Sequence, residues 1–133
     1  MKKKKILVVD NDVSTVKTFQ AALSIEANYV IDIAYSGEEC LKKMKSIHQD
    51  LLILDVMMPK ISGIDVCRLM TKDKKLKKIP VLLVSALPLS SRTFRDSIEK
   101  FQELSVVKDI LEKPFPISDL IKKCEEILGD SKR

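Results

Sequence analysis

Leu51-Leu52-Ile53-Leu54-Asp55-Val56-Met57-Met58-Pro59 carries the chain's clearest fold signal. Four aliphatic residues in a row, with no polar alternation, read as a short strand covered on both faces. The run ends at Asp55, and three other short runs end in the same way. Ile6-Leu7-Val8-Val9 ends at Asp10, Val81-Leu82-Leu83-Val84 at Ser85, and Asp109-Ile110-Leu111-Glu112 is followed by Lys113. Helical patterns separate these runs, so the strands are expected to be parallel and to end on one edge of a sheet. In open α/β sheets that carboxyl edge is where ligands bind. Carboxylates, a hydroxyl and an ammonium therefore converge there, a set able to hold a divalent metal and a phosphoryl group.

Val16, Phe19 and Leu23 mark one face of a first helix after strand one. Tyr29 to Ala34 alternates well enough for a second strand. Ser36 and Glu39 form a capping-box pattern that starts a second helix near Gly37, with Cys40, Leu41 and Met44 on its apolar face. Ser62 and Gly63 open a third helix carrying Ile64, Cys67 and Met70. Ile79 to Val84 is the fourth strand, entered through Pro80. Phe94, Ile98 and Phe101 form the stripe of a further helix, and Val106 to Leu111 is a fifth strand interrupted by Lys108 and Asp109. Ile117, Leu120, Ile121, Cys124, Ile127 and Leu128 give the last helix a clean apolar face that stops at Gly129. Five strands alternating with five helices predict one α/β domain wound on both faces of a parallel sheet.

At 133 residues the chain has the length of a single domain with a real core. Aromatics are only 5% and Trp is absent, so that core must be mainly aliphatic. The net charge of +5 comes largely from Met1-Lys2-Lys3-Lys4-Lys5 and the lysine-rich stretch from Lys72 to Lys78. Such runs can touch nucleic acid or anionic lipid. No aromatics are interleaved for base stacking, so a frayed terminus and a solvated loop are the favoured reading, with no membrane or nucleic-acid contact expected. Four apolar residues after the lysines fall short of a signal peptide, and the stretch from Ile79 to Leu89 is broken by Pro80, Ser85 and Pro88. Cys40, Cys67 and Cys124 lack CxxC spacing and lie at core-facing positions, as buried free thiols in a reducing cytoplasm would. His48 is assigned to the surface.

The motifs at the strand ends resemble those of the receiver domain of two-component response regulators, a CheY-like superfamily. Leu54 to Gly63 is similar to the family's phosphoacceptor segment, and Ser85-Ala86 and Lys113-Pro114-Phe115 match two further motifs in order. The resemblance implies a flavodoxin-like three-layer sandwich with sheet order 2-1-3-4-5, a receiver domain over residues 1–128 and a tail over 129–133. It further implies a cytoplasmic phosphorelay protein that catalyses only its own phosphorylation and dephosphorylation. Asp55 would be the nucleophile that takes a phosphoryl group from a sensor histidine kinase. Mg2+ would sit against Asp55, Asp10 and the Met57 carbonyl, with Asn11 and Asp12 as further candidates. Lys113 would pair with the phosphate as a point charge, and Ser85 and the Ala86 N–H would contact its oxygens. A downstream effector or output domain, and a dimer, would use the face of the fourth helix, fifth strand and fifth helix. The Lys113-Pro114 peptide is expected to be cis, since X-Pro bonds carry only a small trans preference.

The chain departs from the family pattern at several points. Asn11 stands where a direct acidic metal ligand is usual, and its amide oxygen carries no charge. Asp12 either turns inward to compensate or caps the first helix. Ile110 replaces the switch aromatic, the Ser85–Lys113 segment is longer than usual, and Leu104-Ser105-Val106 stands in place of a small Gly-Ala turn. Two rival readings remain in view. A pseudo-receiver would signal without phosphate, as Asn11 and Ile110 suggest. A haloacid-dehalogenase-like phosphatase would use Asp10 as nucleophile and Asp12 as acid/base, but needs an acid at a strand end after Lys113, where Asp119 is expected in a helix.

Overall fold

A computed structural model describes residues 3–86 and 104–130. Its strands are β1 (Lys5–Val9), β2 (Val30–Ala34), β3 (Leu51–Asp55), β4 (Val81–Ser85) and β5 (Val107–Glu112). They form one parallel sheet in the order β2-β1-β3-β4-β5, as expected. Helices α1 (Val13–Ile25), α2 (Gly37–Ser46) and α3 (Gly63–Thr71) and a C-terminal helix (Ile117–Leu128) are described, with a short 3-10 turn at Leu76–Lys78. The further helix predicted around Phe94, Ile98 and Phe101 lies outside the described residues.

Every residue of β3 and β4 is buried, as uniform aliphatic runs require when both faces are covered. Alternate residues feed two cores. Leu7, Leu52, Leu54 and Leu83 pack on one face with Cys40 and Met44 of α2 and Cys67 and Met70 of α3. Ile6, Leu51, Ile53 and Leu82 pack on the other with Phe19 and Leu23 of α1 and Leu120 and Cys124 of the C-terminal helix. The three thiols are free and buried, and loss of solvent pushes each of them up from its ordinary pKa. His48 is exposed, as assigned.

Element ends refine the expected boundaries for local reasons. β4 starts at Val81 because the Ile79 N–H instead closes the 3-10 turn on Leu76. In β5, Val81 pairs with Val107 and Leu82 with Asp109, so Lys108 is taken up in a bulge. That bulge absorbs the polar interruption seen in the sequence. The Ser36 hydroxyl caps α2 by accepting from the Glu39 N–H. The Glu39 carboxylate reaches past Ser36 to the Tyr35 N–H at 2.7 Å, so the box is displaced by one residue. A reciprocal box does form at α3, between Ser62 and Asp65. Gly129 ends the C-terminal helix at φ 73°, the left-handed conformation expected there. The Lys113-Pro114 bond is cis.

Gly63 opens α3 against the strand end that carries Asp55. Its N–H donates to the Val56 carbonyl at 2.9 Å, and a Cβ there would meet the Asp55 carbonyl oxygen at 2.3 Å and the Val56 Cα at 2.9 Å. Neither is a flexible side-chain end, so backbone must move. Gly63→Ala should therefore cost about 1–3 kcal/mol, the range for overpacking a filled site. Urea unfolding should show a lower midpoint with an unchanged slope; an unchanged midpoint would mean that α3 can shift freely from β3.

Candidate functional site

Parallel register brings the strand ends together. Val9 pairs with Leu54 and Asp55 with Val84, so Asp10, Asp55 and Ser85 end three adjacent strands, and Lys113 follows β5. Asp10, Asp55 and Ser85 are all buried. The Lys113 Nζ lies 2.8 Å from Asp10 Oδ2 and 3.8 Å from Asp55 Oδ1, so one ammonium bridges two carboxylates. The closer partner is Asp10, which the sequence alone did not indicate. Ala86 is exposed at the end of β4, and the Met57 side chain points outward while Met58 packs into the core.

Asp55 is electrostatically unusual. Its carboxyl is pushed up to about 6, first by loss of solvent and then by the neighbouring Asp10 charge. Lys113 and the backbone N–H groups of Met57 and Val56 oppose this without cancelling it. A carboxylate held in this way retains unrelieved negative charge at neutral pH.

The turn after β1 resolves the alternative for Asp12. It occupies the N-cap position of α1 and is exposed, and its carboxylate accepts from the Thr15 hydroxyl at 2.6 Å. That bond, first among several contacts, lowers its pKa. Its N–H donates to Asp10 Oδ1 at 2.9 Å, which orients the buried carboxylate. Asn11 is exposed on the same turn. Among the described residues no group of three or more His, Cys, Asp or Glu side chains clusters as a metal site. Asp10 and Asp55 are the buried carboxylates among the described residues at this edge.

Three supports escaped the sequence reading. Thr15 holds Asp12, Gly63 packs against the Asp55 backbone, and the Phe19 and Phe115 rings stack 5.8 Å apart at a 35° tilt. The ring pair ties the loop after Lys113 to α1, beside a cavity of about 270 Å³ that also reaches Thr18 and Lys113. Gly63 had a signal, because glycine at the start of a helix soon after a site strand implies close backbone approach. A long-range ring pair has none.

These features define a flavodoxin-like α/β domain with a buried acidic pocket bridged by a lysine. The response regulator receiver domain family model matches residues 6–125, and the chain belongs to that family. It is 32% identical over 130 residues to the response regulator MprA of Mycobacterium ulcerans, covering 96% of this chain and 51% of that protein. It is 31% identical over 124 residues to the response regulator ArlR of Staphylococcus aureus, covering 92% of this chain and 52% of that protein. The chain thus spans about half the length of these curated relatives. The chemotaxis protein CheY4 of Vibrio cholerae superposes with a TM-score of 0.83 at 25% identity, over 96% of this chain and all of that one. The N-terminal domain of a Methanoculleus marisnigri response regulator receiver protein gives 0.74 at 30% identity, over 97% and 98% of the two chains. The chain is a receiver domain of two-component phosphorelay signalling. The phosphatase alternative is not favoured, and Asp119 lies inside the C-terminal helix. No helix among the described residues is long and apolar enough to cross a membrane.

The Asp55 environment has a pH signature. Its folded value, about 6, lies above the ordinary carboxylate value, so the native state holds the proton more tightly than the unfolded chain. The cost of the ionised form is absent below about pH 4, grows through the interval to about 6, and is complete above it. At roughly 1.4 kcal/mol per unit, Asp55→Asn should stabilise the metal-free protein by about 1–3 kcal/mol at pH 7.5. That advantage should vanish by about pH 4. Chemical denaturation across this range would show it; a pH-independent difference would mean that Asp55 is not strained by its charge.

Proposed function

We propose that Asp55 is the phosphoacceptor and that a sensor histidine kinase is the donor. An Asp55 carboxylate oxygen attacks the donor phosphorus, a P–O bond forms, and the donor's P–N bond breaks to leave an acyl phosphate. The observation that carries this reading is the bridging of Asp10 and Asp55 by Lys113, at 2.8 and 3.8 Å. A partly buried cation is already in place to neutralise charge that arrives with the phosphoryl group. Lys113 would exchange part of its contact with Asp10 for a phosphate oxygen, while the Ser85 hydroxyl and the Ala86 N–H would bind the others. The groove between α1 and the loop after β5 opens on Lys113 and leaves an approach for the donor protein.

The donor set suits magnesium. Two neighbouring carboxylates are hard oxygen ligands, and the Asp10 charge raises Asp55 in their shared pocket, a repulsion that a dication would relieve. Asp10, Asp55 and the Met57 carbonyl would hold the ion. When bound, it would supply charge stabilisation for the in-line transfer. Asn11 adds at most a neutral ligand, and Asp12 is engaged with Thr15.

The functional unit is the receiver over residues 1–128, with no enzymatic turnover beyond its own phosphorylation and dephosphorylation, acting in the cytoplasm. Phosphorylation is read out through Ser85, the segment after it and Ile110 to an output domain or effector, or to a second copy. The phosphate biases that equilibrium by its differential interaction with two states.

Incubation with acetyl phosphate and magnesium should add one phosphoryl mass to the intact protein, and Asp55→Ala should abolish it. Failure of the wild type to react would favour an interaction module that works without phosphate. Asn11→Asp should bind magnesium about tenfold more tightly in fluorescence or calorimetric titration, by adding a charged ligand to a dication. An unchanged affinity would mean that residue 11 does not face the ion.

A further inference from the structure

The two lysine runs lie far apart in sequence, but the fold delivers them to one end of the sheet. All five strands begin on the amino edge, opposite Asp55. Lys3 and Lys4 precede β1, and Lys5 opens it beside Val30, the first residue of β2. The 72–78 segment leaves α3 and returns to the start of β4, so it lies on the same edge, and its five lysines are all exposed. Lys45 lies in the last turn of α2, which also ends on this edge. This makes nine exposed lysines on the described part of the edge. Acids lie among them, Glu26, Asp50 and Asp73, with Glu125, Glu126 and Asp130 at the end of the C-terminal helix beside Tyr29, which leaves the lysines in excess.

Two of those acids are occupied locally. Asp50 accepts the Lys5 N–H at 2.8 Å and contacts His48, and Asp73 accepts the Lys75 and Leu76 N–H groups. A cavity of about 560 Å³ opens between Lys3, Lys4, Lys5, Val30, His48 and Asp50.

Aliphatic side chains are exposed among these lysines. Ile25 at the end of α1 is 80% exposed, Val30 46%, Ile47 just after α2 45%, and Leu69 near the end of α3 45%. Four of the six large exposed apolar residues in the described structure thus gather at the basic end. Phosphate backbones of nucleic acid would use the lysines but gain nothing from these side chains, and Tyr29, the aromatic on the described part of the edge, is buried. A membrane surface uses both features, with lysines meeting anionic headgroups and aliphatics entering the acyl boundary.

We propose that the amino edge of the sheet docks on anionic lipid bilayers. In that pose the five-residue β3 holds the Asp55 edge roughly 17 Å farther from the membrane than the docked edge, at the usual rise per residue. The phosphorylation pocket then faces away from the lipid, open to a donor.

The test is sedimentation of the full chain with vesicles of phosphatidylcholine alone or with 30% phosphatidylserine. Binding is expected only to the anionic vesicles and should weaken with salt. Lys74→Glu/Lys75→Glu/Lys77→Glu should weaken it by more than tenfold, since each lysine near such a surface contributes about fivefold. Ile25→Ser/Ile47→Ser should weaken it severalfold while leaving net charge unchanged. Circular dichroism and acetyl phosphate labelling should match the wild type in both variants. No binding to anionic vesicles at low salt would overturn the proposal. So would vesicle binding indifferent to Ile25→Ser/Ile47→Ser and matched by binding to a random DNA duplex, which would assign the edge to polyanions in general.

Discussion

Two buried carboxylates share one ammonium at the end of the sheet, and much of the rest of the structure serves that arrangement. Burying an acid without a partner is costly, and burying two together more so. Lys113 makes it tolerable from a position 103 residues along the chain from Asp10. Its placement depends on β5 pairing with β4 in the register that sets Ser85 opposite Glu112. It depends also on the loop beyond it, which the Phe19–Phe115 ring contact ties to α1. The neutralisation remains incomplete, as the raised Asp55 shows. A fully satisfied pair would favour the native state more and have less need of a further cation.

The bridging lysine also makes the site responsive. With Lys113 nearer to Asp10 than to Asp55, the Asp55 carboxylate is not sequestered by the ammonium. Asp10 is in turn oriented from behind by the Asp12 N–H. Asp12 is thus tied to the site through its backbone, while its carboxylate faces Thr15. This division answers the alternative that the Asp10-Asn11-Asp12 run leaves open, and it follows from chain geometry. The N-cap residue of α1 must keep an extended backbone, which directs its N–H back toward the preceding strand end.

Fold class was legible because aliphatic runs of strand length separated by helical periodicity have few other solutions, and β3 and β4 are buried along their whole length as their composition requires. The meeting of Asp10, Asp55, Ser85 and Lys113 at one edge was legible for the same reason, since each stands at the end of a run and parallel strands share an edge. Pairing was not. Periodicity places Lys113 at the edge but carries no information on which carboxylate it will approach. The displaced box at Glu39 and the bulge at Lys108 are similar cases. Both depend on local backbone geometry that residue type does not encode. Gly63 lies between these extremes, because its type hints at close approach while its partner, the Asp55 carbonyl, is visible only in three dimensions.

The convergence of the lysines shows how topology converts sequence into surface. Along the chain, Lys3 to Lys5 and the 72–78 stretch are two separate runs, each unremarkable as a solvated segment. A parallel sheet with helical crossovers sends every helix-to-strand connection to one edge and every strand-to-helix connection to the other. Acids at strand ends and lysines at helix ends are thereby sorted to opposite poles without any direct interaction between the two sets. The sorting keeps the lysines from neutralising the Asp10–Asp55 pocket, which leaves Lys113 as the described lysine that pairs with it. At about 17 Å or more of separation, beyond a Debye length at physiological salt, the basic pole exerts little field on Asp55. Its charge can therefore serve a surface while the pocket keeps the electrostatics that its chemistry needs.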